Sequence, residues 1–595
     1  MKVCPNHILL VISANTDIPS KVHMSAEGLN FSYSKNLSNG TTKISIYASN
    51  SCGIYESEEK LIIISGLFKD SIEDYADKHI DEILASFGHQ GFIILIDKKT
   101  LDIYIVQGPV IYQPIFYTLQ NGVVLASDDM STIVKILEDV YDVKPSMDLL
   151  ALYEFILVGE IVSARTIVKG IKHIRAGEYV HITAEECLGL NHTNYWEPWK
   201  IIESPTHNLN ANKSDLQILL QTLFEITSEY CEVNESTIGV PFSGGLDSTM
   251  VLTLLLKACK NKKVIPLHLN VGSIYELYLT KQIHERVCES NNVHCVYTRY
   301  SITEILSSYD ELLHRHICCI PFPRPGDAAL TYSLLAEAFS NTGVKFVISG
   351  DDGDCIWGGY DLPAYYILQL LLKKDFSKFI QLIKILFSYD RSILVRFIAE
   401  TVDTFMKTWL PSIYFTRRAK RVARLNRAKR RFYKLLAQYI STLYENTLRP
   451  LSTNIFREYL TRRFVFLSSP LINTNVRAHE CRNIILAPLF ASRKLLEIIA
   501  SLPDELFFTP YGFRSLQRVF LKVAGYPPSI YKQKKSGFST TNYVTTDAQI
   551  ITKIKSLIST DPYISKSVDL HKLDAHDLLK VYNAKLKYEC LIKDV

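Results

Sequence analysis

The sequence predicts an α/β protein in two parts: an antiparallel-sheet domain, then a doubly wound parallel sheet with a helical C-terminal part. Three observations predict it. Short β-rich runs broken by turn residues fill the first two hundred positions, strands alternate with helical patterns from 216, and amphipathic helical periodicity dominates from 361 to the end. A chain of 595 residues is long enough for two to four cores.

In chain order, "GFIILID", "LDIYIVQ" and "GVVLASD" are strands bounded by Asp, Lys and Gly turns, and "LLALYEFILV" reads as a helix beside them. The polar stretch "ESPTHNLNANKSD" (203–215) is the expected linker, dividing the chain into 1–202 and 216–595. The helix "LQILLQTLFEITSEYCEV" then leads into the strand "TIGVPF", a glycine turn and another helix. "KKVIPLHLNV" (262–271) and "GVKFVISG" (343–350) are further strands of the same sheet.

Composition narrows the function classes. Net charge is +5, yet "RRAKRVARLNRAKRRFYK" (417–434) alone holds ten Lys or Arg and no acid. One basic element on a near-neutral body argues against a nucleic-acid binder, and by default it is a solvated helix face. Its functional alternative is a dock for an acidic peptide or carrier protein. Twelve cysteines without a CxxC spacing point to reduced thiols in a cytoplasmic protein. "HRHICC" (314–319) packs its ligands too closely for a usual structural zinc site, and no distant pair in the sequence completes it. No apolar run has the length of a membrane span, and the opening "MKVCPNHILLVIS" is too short for a signal peptide.

Two stretches carry chemistry. In "VPFSGGLDSTMV" (240–251) a strand breaks at two glycines and resumes as a helix, so unpaired N–H groups and the helix dipole face an anion. Gly244 and Gly245 admit close approach, and Ser243 and Ser248 add hydroxyl donors. The lysine of a Walker A loop is missing, and Asp247 stands inside the loop instead. An acid there needs a divalent metal between carboxylate and phosphate, which suits cleavage between the α- and β-phosphates. The second stretch, "ISGDDGDCIWGGY" (348–360), follows another strand; Asp354 facing Asp247 across a switch point would form a two-carboxylate magnesium site.

"SGGLDS" followed about a hundred residues later by "SGDDGDCIWGGY" resembles the synthetase domain of the asparagine synthetase family, PP-loop ATP pyrophosphatases. "TIVKGIKHIRAGEYVHI", "NYWEPW", "APLFASRKLLEIIASLPDELF" and "PPSIYKQKKSGF" resemble further landmarks of that family. The resemblance implies ATP- and Mg2+-dependent adenylation of a carboxylate, then amide formation. It implies an adenosine site at Phe242, Val271, Ser349 and Gly350, and pyrophosphate at Ser243, Gly244, Gly245 and Ser248. Magnesium would sit on Asp247 and Asp354, with Lys534 and Asp351 as catalytic residues, the latter as general base. Glu276 falls where the family has an acid near the nucleotide. Asp352 stands where the family has Gly, and Cys355 where it commonly has Glu.

Residues 91–128 resemble the scaffold of a class II glutamine amidotransferase, which implies an Ntn-hydrolase-like fold. That chemistry takes its nucleophile from a cysteine at position 2, whereas this sequence has Lys2, and Cys4 followed by Pro5. The expectation is a ligase without glutamine hydrolysis, similar to β-lactam synthetases and lasso-peptide macrolactam cyclases. Its partners would be a small-molecule or peptide carboxylate, a precursor peptide and its leader protease, with no nucleic acid and no membrane insertion. The alternatives are an ammonia-using asparagine synthetase and a catalytically inactive partner-binding scaffold.

Overall fold

The computed structural model describes residues 8–593 except 15–17, 19–20, 23–30, 40–41, 50–51, 68–70, 89, 184–189, 203–212, 234, 271–280, 282–283, 286, 290, 292, 301–310, 312, 315–316, 325–327, 360–361, 390, 423–429, 509–510, 533–546 and 562–563. Among the described residues twelve strands build the N-terminal part: β1 (Ile8–Ala14), β2 (Tyr33–Ser38), β3 (Thr42–Ala48), β4 (Gly53–Glu56), β5 (Lys60–Leu67), β6 (Gln90–Asp97), β7 (Ile103–Gln107), β8 (Phe116–Gln120), β9 (Val123–Ser127), β10 (Lys172–His173), β11 (Glu178–Ile182) and β12 (Asn191–Asn194). They form two six-stranded sheets, in the orders β10-β8-β9-β1-β3-β2 and β12-β11-β7-β6-β5-β4. The strand pairs of both sheets are antiparallel.

Alternation along each strand explains why the sheets stack. Ile8, Leu10 and Ile12 of β1 meet Phe92, Ile94 and Ile96 of β6 in the core between the sheets. Leu9 and Val11 point the other way, into a core that includes Ile133, Val134 and Leu152. Those three residues lie on the helices Met130–Tyr141 and Leu149–Val158, which Asp129 and Asp148 cap by accepting two backbone N–H groups each. On the far side Ile62, Ile93 and Val106 pack against Tyr75, Ile83 and Phe87. Both faces of both sheets are therefore covered by packed side chains.

The C-terminal part holds β13 (Thr237–Pro241), β14 (Lys263–Asn270), β15 (Val296–Arg299), β16 (Phe346–Ser349) and β17 (Ile485–Pro488). The order is β15-β14-β13-β16-β17, and all neighbours are parallel. Chain order reverses between β13 and β16, so the crevice beyond their carboxyl ends is the switch point of a doubly wound sheet. From 361 onward the described residues are mostly helical, as the periodicity predicts, and β17 is a strand that it does not predict. Its four residues are too few to show a period, and pairing with β16, whose Ser349 opposes Pro488, is what makes them a strand.

The two parts share one continuous core. Polar contacts cross between them: Gln90 donates to the Ala491 carbonyl at 2.6 Å, Asn473 to the Tyr112 carbonyl at 2.6 Å, and Tyr153 to the Ser567 carbonyl at 2.7 Å. Arg324, fully buried, pairs with Glu160 from the other part. Two cysteine pairs, Cys231–Cys259 and Cys318–Cys590, are disulfide-bonded, with Cα–Cα distances of 5.3 and 5.4 Å. This corrects the expectation of uniformly reduced thiols; sequence separations of 28 and 272 residues left no spacing from which to read it. Among the described residues no helix is long and apolar enough to cross a membrane.

Candidate active site

The loop after β13 turns on Gly244, whose φ of +74° lies in the left-handed region that glycine enters without strain. Gly245 then starts the helix Leu246–Ala258. The Ser243 and Ser248 hydroxyls lie 3.1 Å apart, Gly245 N–H donates to Ser243 Oγ at 3.3 Å, and Ser248 donates to the Gly245 carbonyl at 3.2 Å. Two hydroxyls and the first N–H groups of a helix thus gather at one strand end, the donor set an anion takes.

The neighbouring strand end supplies the acids. Gly350 and Gly353 let this second loop lie directly against Asp247. A Cβ built on Gly353 would stand 2.0 Å from Asp247 Oδ1, and one on Gly350 3.3 Å from Asp247 Cβ. Asp247 and Asp354 both pair with one guanidinium, that of Arg514. Its Nη1 is 2.7 Å from Asp354 Oδ1, and its Nη2 meets Asp247 Oδ2. Gln517 donates to Asp247 Oδ1 at 2.7 Å and accepts from Arg514 Nε at 2.7 Å. Arg514 is 5% exposed and begins the helix Ser515–Val523 in a left-handed conformation (φ 59°, ψ 37°).

The structure therefore brings Asp247 and Asp354 onto a common cation, and that cation is an arginine. Two carboxylates turned to one point are hard oxygen donors, a set that fits Mg2+ and would hold it in the place the guanidinium now takes.

Asp351 is pinned rather than open. Its Oδ2 accepts from Ser349 Oγ at 2.6 Å and from Asn475 Nδ2 at 2.5 Å. Burial raises its carboxyl above the usual range, against the pull of those two hydrogen bonds. Phe242 is 1% exposed, and its ring lies 4.6 Å from that of His284. Its amide donates to the Leu267 carbonyl, and its own carbonyl accepts from His268. Its side chain is packed in the core against the His284 ring. Burial pushes His284 down to about 3 and lowers His268 as well, so the rings packed beside Phe242 are neutral. Ser349 is buried at the end of β16. Val271, Glu276 and Lys534 lie outside the described residues.

The two departures from the family pattern have separate explanations. Asp352 has φ 63° and ψ 11°, a left-handed residue that glycine suits and Asp tolerates better than most. Cys355 is buried and donates to the Leu460 carbonyl at 3.7 Å, so its thiol does not join the aspartate pair.

Asp352 also carries a pH signature. It is 7% exposed, and burial pushes its carboxyl up to about 7 although Arg463 and Ser468 pull against this. An unfolded Asp releases its proton near 4. Between roughly pH 4 and 7 the folded chain therefore binds more protons, and stability falls as pH rises through that window. Asp352→Asn is expected to flatten this fall and stabilise the protein at neutral pH by a few kcal/mol, at ~1.4 kcal/mol per tenfold in proton affinity. Thermal unfolding at pH 5 and pH 7.5 checks it; an unchanged difference between the two midpoints would refute it.

Residues 220–588 match the asparagine synthase family model. The chain belongs to the asparagine synthase family. The family is one of ATP-dependent amide-bond ligases of the asparagine synthetase kind. No curated protein matches this asparagine synthase family member. Among solved structures it is similar to the glutamine phosphoribosylpyrophosphate amidotransferase from B. subtilis complexed with ADP and GMP. The identity there is 10% and the TM-score 0.20, over 43% of this chain and 65% of that one. A second, described as the allosteric regulatory enzyme of purine biosynthesis, has 8% identity and a TM-score of 0.19 over 51% and 85%. Arg514, Gln517 and Asn475, which hold the aspartates in place, lie outside the motifs that resemble the family. Arg514 and Gln517 lie in "GFRSLQRVF" and Asn475 in "NTNVRAHE", stretches with no spacing that announces a site.

Proposed function

We propose that this ligase adenylates a carboxylate with ATP and passes the acyl group to an amine of the same substrate, closing a macrolactam or lactam. A carboxylate oxygen attacks the α-phosphorus, the α–β anhydride breaks and pyrophosphate leaves; the amine nitrogen then attacks the acyl carbon and AMP leaves. The observation that carries this reading is the convergence of Asp247 and Asp354 on one cation beside the Ser243–Ser248 hydroxyl pair. Pyrophosphate would rest on Ser243, Gly244, Gly245 and Ser248, with the nucleoside toward Phe242, Val271, Ser349 and Gly350. Bound magnesium, held by Asp247 and Asp354, would neutralise phosphate charge. The raised proton affinity of Asp351 suits it to take the proton of the incoming amine. The substrate we favour is a ribosomal precursor peptide freed by a leader protease, processed in the cytoplasm where ATP is available. On this reading residues 1–202 are a degenerate amidotransferase-like unit joined through 203–215 to the ligase unit 216–595.

Intact-mass analysis tests it. Peptides with a free N-terminus and an internal Asp or Glu should lose one water on incubation with ATP and Mg2+, releasing AMP and pyrophosphate in equal amounts. ADP with phosphate would overturn the adenylation step. Efficient aspartate-dependent exchange of labelled pyrophosphate into ATP would replace the peptide reading with an ammonia-using asparagine synthetase. Lys534→Ala is expected to slow amide formation ~100-fold while sparing pyrophosphate exchange, because a cation in that role stabilises charge in acyl transfer. Equal loss of both steps would remove Lys534 from that role.

A further inference from the structure

"HRHICC" acquires in the fold the distant partner that its sequence context lacks. His314 and Cys318 are one helical turn apart, with Cys318 N–H donating to the His314 carbonyl at 3.2 Å. Residues four apart on a turn share a face, so both side chains reach one point. Cys590, near the end of the helix Ala575–Lys593, arrives there from 272 residues away. One imidazole nitrogen faces each sulfur: Nδ1 is 3.8 Å from Cys318 Sγ and Nε2 is 3.9 Å from Cys590 Sγ. The three donor atoms lie within 4.8 Å of one another, with Cys590 buried and the other two half-buried. Among the described residues the His314 ring has no hydrogen-bond partner besides these sulfurs.

We propose that His314, Cys318 and Cys590 form a binding site for one zinc-class divalent cation, available when the Cys318–Cys590 disulfide is reduced. Reduction takes two electrons and two protons from a thiol reductant, which leaves as its own disulfide. The S–S bond breaks and two thiols form; binding the cation then releases their protons to solvent. Soft sulfur with one imidazole is the donor set zinc prefers. Zinc–sulfur and zinc–nitrogen bonds of about 2.3 and 2.0 Å at a tetrahedral angle place each sulfur roughly 3.5 Å from the single ligating nitrogen, so one ring nitrogen and two sulfurs already within 4.8 Å of one another need only a small closure to take the ion. Three protein ligands leave the fourth position to solvent, which the half-buried His314 and Cys318 admit.

Disulfide and metal are then two closures of one joint. The joint ties the segment carrying Arg324, whose carbonyl also accepts from Asn583 at 2.7 Å, to the C-terminal helix. Because Arg324 pairs with Glu160, that segment also anchors the antiparallel-sheet part.

Cobalt titration of the full chain tests the site. Protein reduced with thiol, then desalted without oxygen, should bind one equivalent of Co2+ with a sulfur-to-cobalt charge-transfer band and tetrahedral visible absorption. Oxidised protein should give neither. Cys318→Ser and Cys590→Ser should abolish the band, His314→Ala should weaken cobalt affinity at least tenfold, and Cys295→Ser should leave both unchanged. Cobalt held by the aspartate pair gives no sulfur band and so is distinguished. Absence of the band in reduced wild-type protein, or its survival in both serine variants, overturns the proposal. The wild-type comparison decides even where a variant fails to fold.

Discussion

Asp247→Asn and Asp354→Asn are each expected to cut carboxylate-dependent AMP release by about a thousandfold, the scale of losing one preorganised electrostatic partner at a reacting phosphate. The physical reason is in the packing of the two loops. Asp247 reaches across from the β13 loop because Gly350 and Gly353 offer it no side chain to strike. Asp354 faces the same point from the β16 loop. Either amide keeps size and hydrogen bonding and removes one of the two charges that hold a divalent cation. Pyrophosphate exchange should fall in parallel with AMP release, since both depend on the first step. Wild-type rates in either variant would mean that the pair is structural, and the reading as an inactive scaffold would gain.

Arg514→Ala is expected to give the second largest effect, and its clearest readout is stability. Arg514 is the buried counter-charge of both carboxylates, and removing one partner of a buried pair costs ~3–5 kcal/mol. Without the guanidinium the two acids face each other unneutralised. Mg2+ should then bind them readily and restore most of the loss. The variant's melting temperature should therefore rise much more on adding Mg2+ than that of the wild type, where cation and guanidinium compete. Arg514→Lys should fall between, because an ammonium lacks the planar fork that spans two carboxylates. Calorimetric scans with and without Mg2+ read this without any substrate. Equal responses of variant and wild type to Mg2+ would show that the aspartates bind no divalent ion.

Activity adds a second measure. When nucleotide enters, the guanidinium must exchange carboxylates for another anion, and phosphate oxygens suit its forked donors. Loss of Arg514 should thus also raise the KM for ATP about tenfold, roughly 1.4 kcal/mol of uniform binding.

Much of this protein is legible along the chain. The glycine-broken strands at 241–246 and 349–354 announce an anion loop and an acid loop, because backbone conformation and side-chain chemistry there are local properties. Parallel-sheet alternation around them follows from apolar runs of strand length separated by helical periods. The short strand β17 was not legible, since four residues carry no period and only β16 recruits them. Asn475 was silent for a similar reason: its hydrogen bond to Asp351 spans 124 residues.

What the sequence determined by itself is the chemical kit: a hydroxyl-lined glycine turn, two strand-end aspartates and a family pattern broken at Asp352 and Cys355. The tertiary structure decided how the kit is wired. It set one arginine from a distant helix between the two acids, locked Asp351 onto Ser349 and Asn475, and carried Cys590 to His314 and Cys318. Local steric and hydrogen-bonding rules act over a few residues and can be read in order. Charge pairing and thiol proximity depend on distance through space, which only the packed chain sets.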